Sequence, residues 1–371
     1  MEENWVTQGY AAPNKKTYPW QWLWDSCFHS LIWLELGRPD RAVQELTEIF
    51  RPQLDSGFVP HINYVCDPDI HSDLWGRSHG SSITQPPMYG HAIAELNRAG
   101  VRMNQALLSS ATAGLSFLIN ERARHDSGLL LLCHPWESGA DDSPRWDDFC
   151  PGGFDKERWK KQKNVLVGTV EQAADGSPIR NPEFQVASIG FNALVAFNAR
   201  ELATVTGDIS MTDSANEITH AITERWDESS STWKDAGPHA NKSGSCRTLD
   251  ALLPLLVVEE HQLPSKLVEQ FDSVEAFKGR FGPRGVHLKE EVFNPKQYWR
   301  GPVWPQLSYL ISLAVSRFDL QTAKQLTWAT ANGAQISGCA EYWHPETGEG
   351  LGAIPQSWAG LSLVSTKRLF S

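Results

Sequence analysis

Residues 41–50 read RAVQELTEIF, and the apolar members Val43, Leu46, Ile49 and Phe50 fall at spacings of three and four. That period gathers them on one face of a helix, whereas a half-buried strand alternates every second residue. Similar patterns run over 27–36, 88–99, 104–121, 184–206, 213–226, 247–261, 264–278, 304–317, 320–333 and 356–370. The sequence therefore predicts about eleven helices and little room for a sheet. Stop signals agree: Gly37 stands before Arg38 and Pro39, Gly100 follows Ala99, and Gly207 with Asp208 follows a run ending near Val205.

Between these segments lie long loops at 10–24, 55–87, 134–183, 279–303 and 339–355, rich in Gly, Pro, Trp and Asp. Loops of this length in a helical protein are functional or disordered, and tryptophan is a poor residue for disorder. No linker divides the chain, so the expectation is one helical domain over residues 1–371, with paired helices ringing a central pocket.

Composition narrows the function. A net charge of −11 offers no basic face for nucleic acid or an anionic membrane. Neither partner is expected. The six cysteines are scattered without a CxxC pair, which indicates reduced thiols rather than a zinc ribbon or disulfide framework. No apolar run approaches the ~18 residues of a membrane span, and no signal-like segment opens the chain. A cytoplasmic protein is expected. DPDIHSD (67–73) lacks the spacing of an EF-hand loop, GEGLG (348–352) completes no phosphate-binding pattern, and neither HExxH nor GxSxG occurs. The expectation is no metal and no cofactor.

Nine of the 16 tryptophans sit in four loop patches: Trp20, Trp22 and Trp24; Trp136 and Trp146; Trp299 and Trp304; Trp343 and Trp358. A single tryptophan is most simply core. Four patches mixed with carboxylates and amides point instead to a shared aromatic pocket suited to a sugar, with its apolar C–H face and rim of hydroxyls. Glycosidic chemistry also requires two carboxylates, one protonated and one ionised. Asp25, Glu137, Asp141, Asp142, Asp147, Glu341 and Glu346 are candidates, and spacing does not choose among them.

The stretch PWESGADDSPRW (135–146) resembles the ESGxDxSPRW signature of glycoside hydrolase family 63. YPWQWLWDSCFHS (18–30), SSITQPP (81–87), YWRGPVWP (298–305) and EYWHPETGEG with QSW (341–350, 356–358) resemble the same family in the same order. The pattern is most similar to the short bacterial type acting on glucosylglycerate or mannosylglycerate. The resemblance implies an all-α (α/α)6 barrel and an inverting, exo-acting α-glycosidase for a small α-glucoside or α-mannoside. It implies Asp141 as general acid and Glu341, 200 positions away, as general base, facing it at roughly 6.5–9.5 Å across a water. Tyr18, Trp22, Asp25, Gln85, Trp136, Tyr298, Trp299, Trp304 and Gln356 are implied to line the sugar site.

Chemistry adds expectations of its own. Asp141 needs a raised pKa, from desolvation by Trp136 and like charge on Asp142 or Glu137, while Glu341 stays ionised through better solvation or hydrogen bonding. Trp24, Arg145, Trp146 and Trp358 read as structural. Asp142 stands where the glycerate-type enzymes commonly have Asn, and the interval from Trp146 to Phe184 reads as shorter than their lid region. Lys156, Arg158, Lys160, Lys161 and Lys163 form either a solvated face or a wall for an acidic aglycone. Rival readings are a trehalase-like disaccharide hydrolase, an (α/α)6 sugar epimerase or isomerase, and a non-catalytic sugar-binding protein. An isomerase would want histidines poised for proton transfer, and the carboxylate-bearing motifs fit a glycosidase better. The sequence sets no oligomeric state.

Overall fold

A computed structural model describes residues 1–150, 152–240, 246–263 and 267–370. The 41–50 stretch lies mostly in α2 (Pro39–Ile49), which buries Ala42, Leu46 and Ile49. The other helices are α1 (Leu23–Glu35), α3 (Ser72–Trp75), α4 (Tyr89–Arg98), α5 (Gln105–Glu121), α6 (Lys156–Val167), α7 (Ile189–Thr206), α8 (Ile209–Thr223), α9 (Glu269–Asp272), α10 (Pro305–Val315), α11 (Leu320–Ile336) and α12 (Leu361–Phe370). Side-chain oxygens cap the starts of α5, α7, α8 and α11: Asn104, Ser188, Asp208 and Asp319 accept from backbone N–H groups of the first turn. Among the described residues, strand structure is limited to five two-stranded antiparallel ladders.

The inner segments form a closed ring. α1 packs on α4, α4 on α7, α7 on a 3-10 helix at Leu249–Leu256, that helix on α10, α10 on α12, and α12 back on α1. α1, α7 and α10 are buried over most of their length, as inner helices must be, while α2, α5, α8 and α11 cover them with one apolar face each. Close approach is built in where α4 meets α7: a Cβ on Gly90 would stand 2.3 Å from the Asn198 carbonyl oxygen. No helix among the described residues is long and apolar enough to cross a membrane.

Three expectations need correction. Residues 247–261 form no α-helix but a 3-10 helix at Leu249–Leu256, where Pro254 lacks the N–H an α-helix needs, and the start of a short one at Glu260–Gln262. Of 264–278, residues 264–266 lie outside the described residues and the rest yields α9 as its one helix, which ends where Ser273 turns extended, and a strand that starts at Lys278. Helix α6 stands in a segment whose sequence reads as loop. Its capping Asp155 accepts from the Arg158 N–H, and it buries Trp159, Lys163, Leu166 and Val167.

Candidate active site

The loop bearing Asp141 is fixed from both sides. Before it, Pro135–Ser138 makes a 3-10 turn that ends at Gly139 with φ 72°. Only glycine serves there, because a Cβ would also meet the Trp24 ring at 2.5 Å. Glu137 locks this turn: Arg122 donates to both its oxygens at 3.0 and 2.6 Å, and Cys133 N and Thr84 N donate at 2.7 and 3.2 Å. After Asp141, a second 3-10 turn (Pro144–Phe149) is held by Arg145 on Asp235 and Asp250 and by Arg300 on Asp147. The Trp159 indole N–H donates to the Asp141 carbonyl at 3.0 Å, so α6 braces the loop between the two turns.

Glu341 sits between α11 and the Tyr342–Trp343/Gly350–Leu351 ladder. Its Oε2 accepts from Ala353 N at 2.9 Å and its Oε1 from the Tyr18 hydroxyl at 3.0 Å. Trp358 donates its indole N–H to the Glu341 carbonyl at 2.9 Å. The residue is only 2% exposed. Burial pushes its carboxyl upward, and the Ala353 N–H and Tyr18 hydroxyl oppose that rise. The expected better solvation is thus absent, and fixed donors stand in for water.

The two carboxylates line a common cavity in two parts. A narrow inner chamber of about 60 Å³ is walled by Trp22, Trp24, Trp299 and Trp358, with Asp25, Gln85 and Gln356 among its polar groups. It joins an outer chamber of about 530 Å³ bounded by His61, Trp75, Trp136, Tyr342 and the lysines of α6. Tyr18, Trp22, Gln85, Asp141, Tyr298 and Glu341 belong to both, and so form the neck. The Tyr298 hydroxyl lies 3.4 Å from Asp141 Oδ2. Asp141 as a whole is half-buried, yet its carboxyl is withdrawn from water. Loss of hydration raises it to about 7; the Lys163 ammonium counters the rise, and Asp142 and Glu341 add to it. Asp25, in the first turn of α1, is pushed well up by burial and then by the Glu341 charge.

Charge pairing sorts the seven candidate carboxylates. Glu137 lies on Arg122, Asp142 on Lys163, Asp147 on Arg300 and Glu346 on Arg284. Asp25, Asp141 and Glu341 have no ion-pair partner among the described residues, and these three line the inner chamber. Glu137, expected to tune Asp141, is instead neutralised as a structural anchor.

Other placements differ from expectation. Trp304 lines neither chamber: it is fully buried, stacked 3.8 Å from Trp299 and 4.6 Å from Tyr342, so it supports the aromatic wall from behind. Trp136 borders the outer chamber alone. Trp24 and Trp358, read as structural, line the inner one; the signal was the glycine at 139, whose missing Cβ makes room for Trp24. Trp299 holds φ 60°, a strained backbone for a bulky residue, and its stack on Trp304 keeps it there. Lys156, Lys160 and Lys163, but not Arg158 or Lys161, reach the outer chamber. Away from the cavity, His91, Glu95 and Glu201 offer three metal-type donor atoms within 4.8 Å of one another, but Arg98 and Arg368 already occupy the two carboxylates.

Residues 18–359 match the domain family described as mannosylglycerate hydrolase MGH1-like glycoside hydrolase. A mannosylglycerate hydrolase of Thermus thermophilus is 27% identical, over 96% of this chain and 97% of its own. A glucosylglycerate hydrolase of Mycolicibacterium hassiacum is 26% identical, over 96% and 93%. The crystal structure of a family 63 mannosylglycerate hydrolase from Thermus thermophilus, bound to Tris, superposes with a TM-score of 0.83 at 25% identity, covering 99% of this chain and 98% of that one.

Proposed function

The chain belongs to the MGH1-like glycoside hydrolases of family 63, and from that premise we propose that it is an inverting, exo-acting α-glycosidase for a small α-glucoside or α-mannoside with a glycerate-like aglycone. In this reading the helical ring is a single-domain (α/α)6 barrel that works in the cytoplasm without a cofactor. The terminal sugar occupies the neck and reaches into the inner chamber, with the aglycone in the outer one, so that the scissile bond lies beside Asp141 and Glu341. The observation that carries the reading is that Asp141 and Glu341, both without an ion pair among the described residues, lie at that neck, while Asp25 borders the inner chamber alone.

Asp141, raised to about 7, retains a proton near neutral pH and donates it to the glycosidic oxygen. Glu341, held by the Ala353 N–H and the Tyr18 hydroxyl, takes a proton from water, which attacks the anomeric carbon from the opposite face. Asp25, Gln85 and Gln356 accept from or donate to sugar hydroxyls. The indole N–H groups of Trp22 and Trp299, buried without a partner among the described residues, supply further donors.

The test is a panel of α-glucosyl- and α-mannosylglycerate, glucosylglycerol, trehalose and α-disaccharides, followed by time-resolved NMR of the released sugar. The β anomer should appear first from an α-glycoside. Initial release of the α anomer overturns inversion, and turnover of trehalose alone would favour the trehalase-like reading. Asp141→Asn and Glu341→Gln should each lose at least about 100-fold in kcat.

A further inference from the structure

Helix α6 meets the acid loop at three points. Trp159 donates to the Asp141 carbonyl, the Lys163 carbonyl accepts from His134 Nε2 at 2.9 Å, and Lys163 Nζ lies 2.6 Å from Asp142 Oδ1. Only the last contact pairs opposite charges. The Lys163 side chain is nearly buried and packs over the rings of Trp136 and Trp159, 5.5 and 5.7 Å from their centroids. These aromatic faces favour a cation and fix its place. The same ammonium borders the outer chamber together with Asp141 and Asp142.

We propose that Lys163 is a positioning residue of the reaction: through its ion pair with Asp142 it fixes the loop that carries Asp141 and sets how tightly that carboxyl holds its proton. The proposal rests on Asp141 being the general acid. Asp141 faces Asp142 on its own loop, Lys163 with Lys156 and Lys160 on α6, Glu341 and Tyr298 across the neck, and Tyr18 and Asp25 from the N-terminal segment. Within that set Asp142 and Lys163 act on Asp141 with opposite sign and lie together, so their influences largely cancel while the pair is intact. Loss of either partner unmasks the other.

The sign of each effect follows. A general acid works protonated, so kcat falls as pH rises through its pKa. Lys163→Met removes the cation and leaves the Asp142 charge, which moves this basic limb up. Asp142→Asn leaves the cation, which moves it down.

The experiment is the pH dependence of kcat on an α-glycoside the enzyme turns over, for wild type, Lys163→Met, Lys163→Arg, Asp142→Asn and the Lys163→Met/Asp142→Asn double variant. The expected result is a shift of about one pH unit upward in the first, a similar shift downward in Asp142→Asn, and limbs close to wild type in Lys163→Arg and the double variant. Lower kcat with an unmoved limb in both single variants would reduce the pair to a structural latch and overturn the proposal. Asp141→Asn is measured alongside on a glycosyl fluoride, whose leaving group needs no proton. Retained turnover there, with the loss of at least about 100-fold on the glycoside, upholds the acid assignment whatever the Lys163 variants do. Wild-type rates of Asp141→Asn on both substrates would remove that assignment itself.

Discussion

At the scale of single residues, the site separates two carboxyls that a short motif alone leaves alike. Asp141 is withdrawn from water with one weak hydroxyl contact, whereas Glu341 receives two well-placed donors. With Asp141 as the proposed general acid, the rate should follow a bell with a basic limb near pH 7, since kcat would fall as Asp141 loses its proton; a pH–kcat profile on the best substrate of the panel checks this. Tyr18→Phe deletes a donor that favours ionised Glu341. The acidic limb, below which the base is protonated, should then move upward by up to about one pH unit, with the basic limb little changed. Arg122→Met leaves Glu137 charged and buried under the acid loop. A loss of about 3–5 kcal/mol in urea unfolding is expected, measured against wild type.

At the scale of elements, helix existence was legible in most segments where an apolar face recurred every three or four residues, as in α2 and α8, but the same period over 264–278 yielded only the short α9. Helix α6 was not, because KERWKKQKNV carries too many charges for its buried face of Trp159, Lys163 and Leu166 to show as a period. The cluster of basic residues was visible, but without the helix nothing told Lys156, Lys160 and Lys163, which face the outer chamber, from Arg158 and Lys161, which do not. Pro254 was visible in the sequence, but the ring position of its segment was not, and packing against α7 and α10 keeps that segment helical with 3-10 geometry. The five motifs named most of the lining residues, yet motif membership does not tell a front-row ring from one behind it: Trp299 and Trp304 stack, and only Trp299 reaches the chamber. Packing between elements gives a further prediction. Gly90→Ala would drive a methyl into the Asn198 carbonyl where α4 crosses α7, and should cost about 1–3 kcal/mol in denaturant unfolding while leaving KM unchanged.

At the scale of the whole molecule, the ring is closed by contacts between early and late parts of the chain. Asn14 donates to the Pro355 carbonyl at 2.8 Å, Ser357 to the Pro13 carbonyl at 3.1 Å, and Ser357 also meets His29, which rests on Glu45. α12 completes the ring on α1 and α10. Deleting residues 361–370 should therefore abolish the cooperative unfolding transition, as seen by circular dichroism, rather than trim a dispensable tail. A ring of paired helices was expected from the sequence, but not the contacts that close it, because pairs of residues at opposite ends of the chain leave no periodic trace. The Tyr18–Glu341 hydrogen bond has a consequence for synthesis. If the proposed roles hold, the groups for the sugar, Trp22 and Asp25, leave the ribosome first, the proton donor Asp141 follows, and the base Glu341 comes almost last. On that reading a nascent chain that has not yet reached Glu341 lacks the ability to hydrolyse, and turnover reports that the two ends of the polypeptide have found each other.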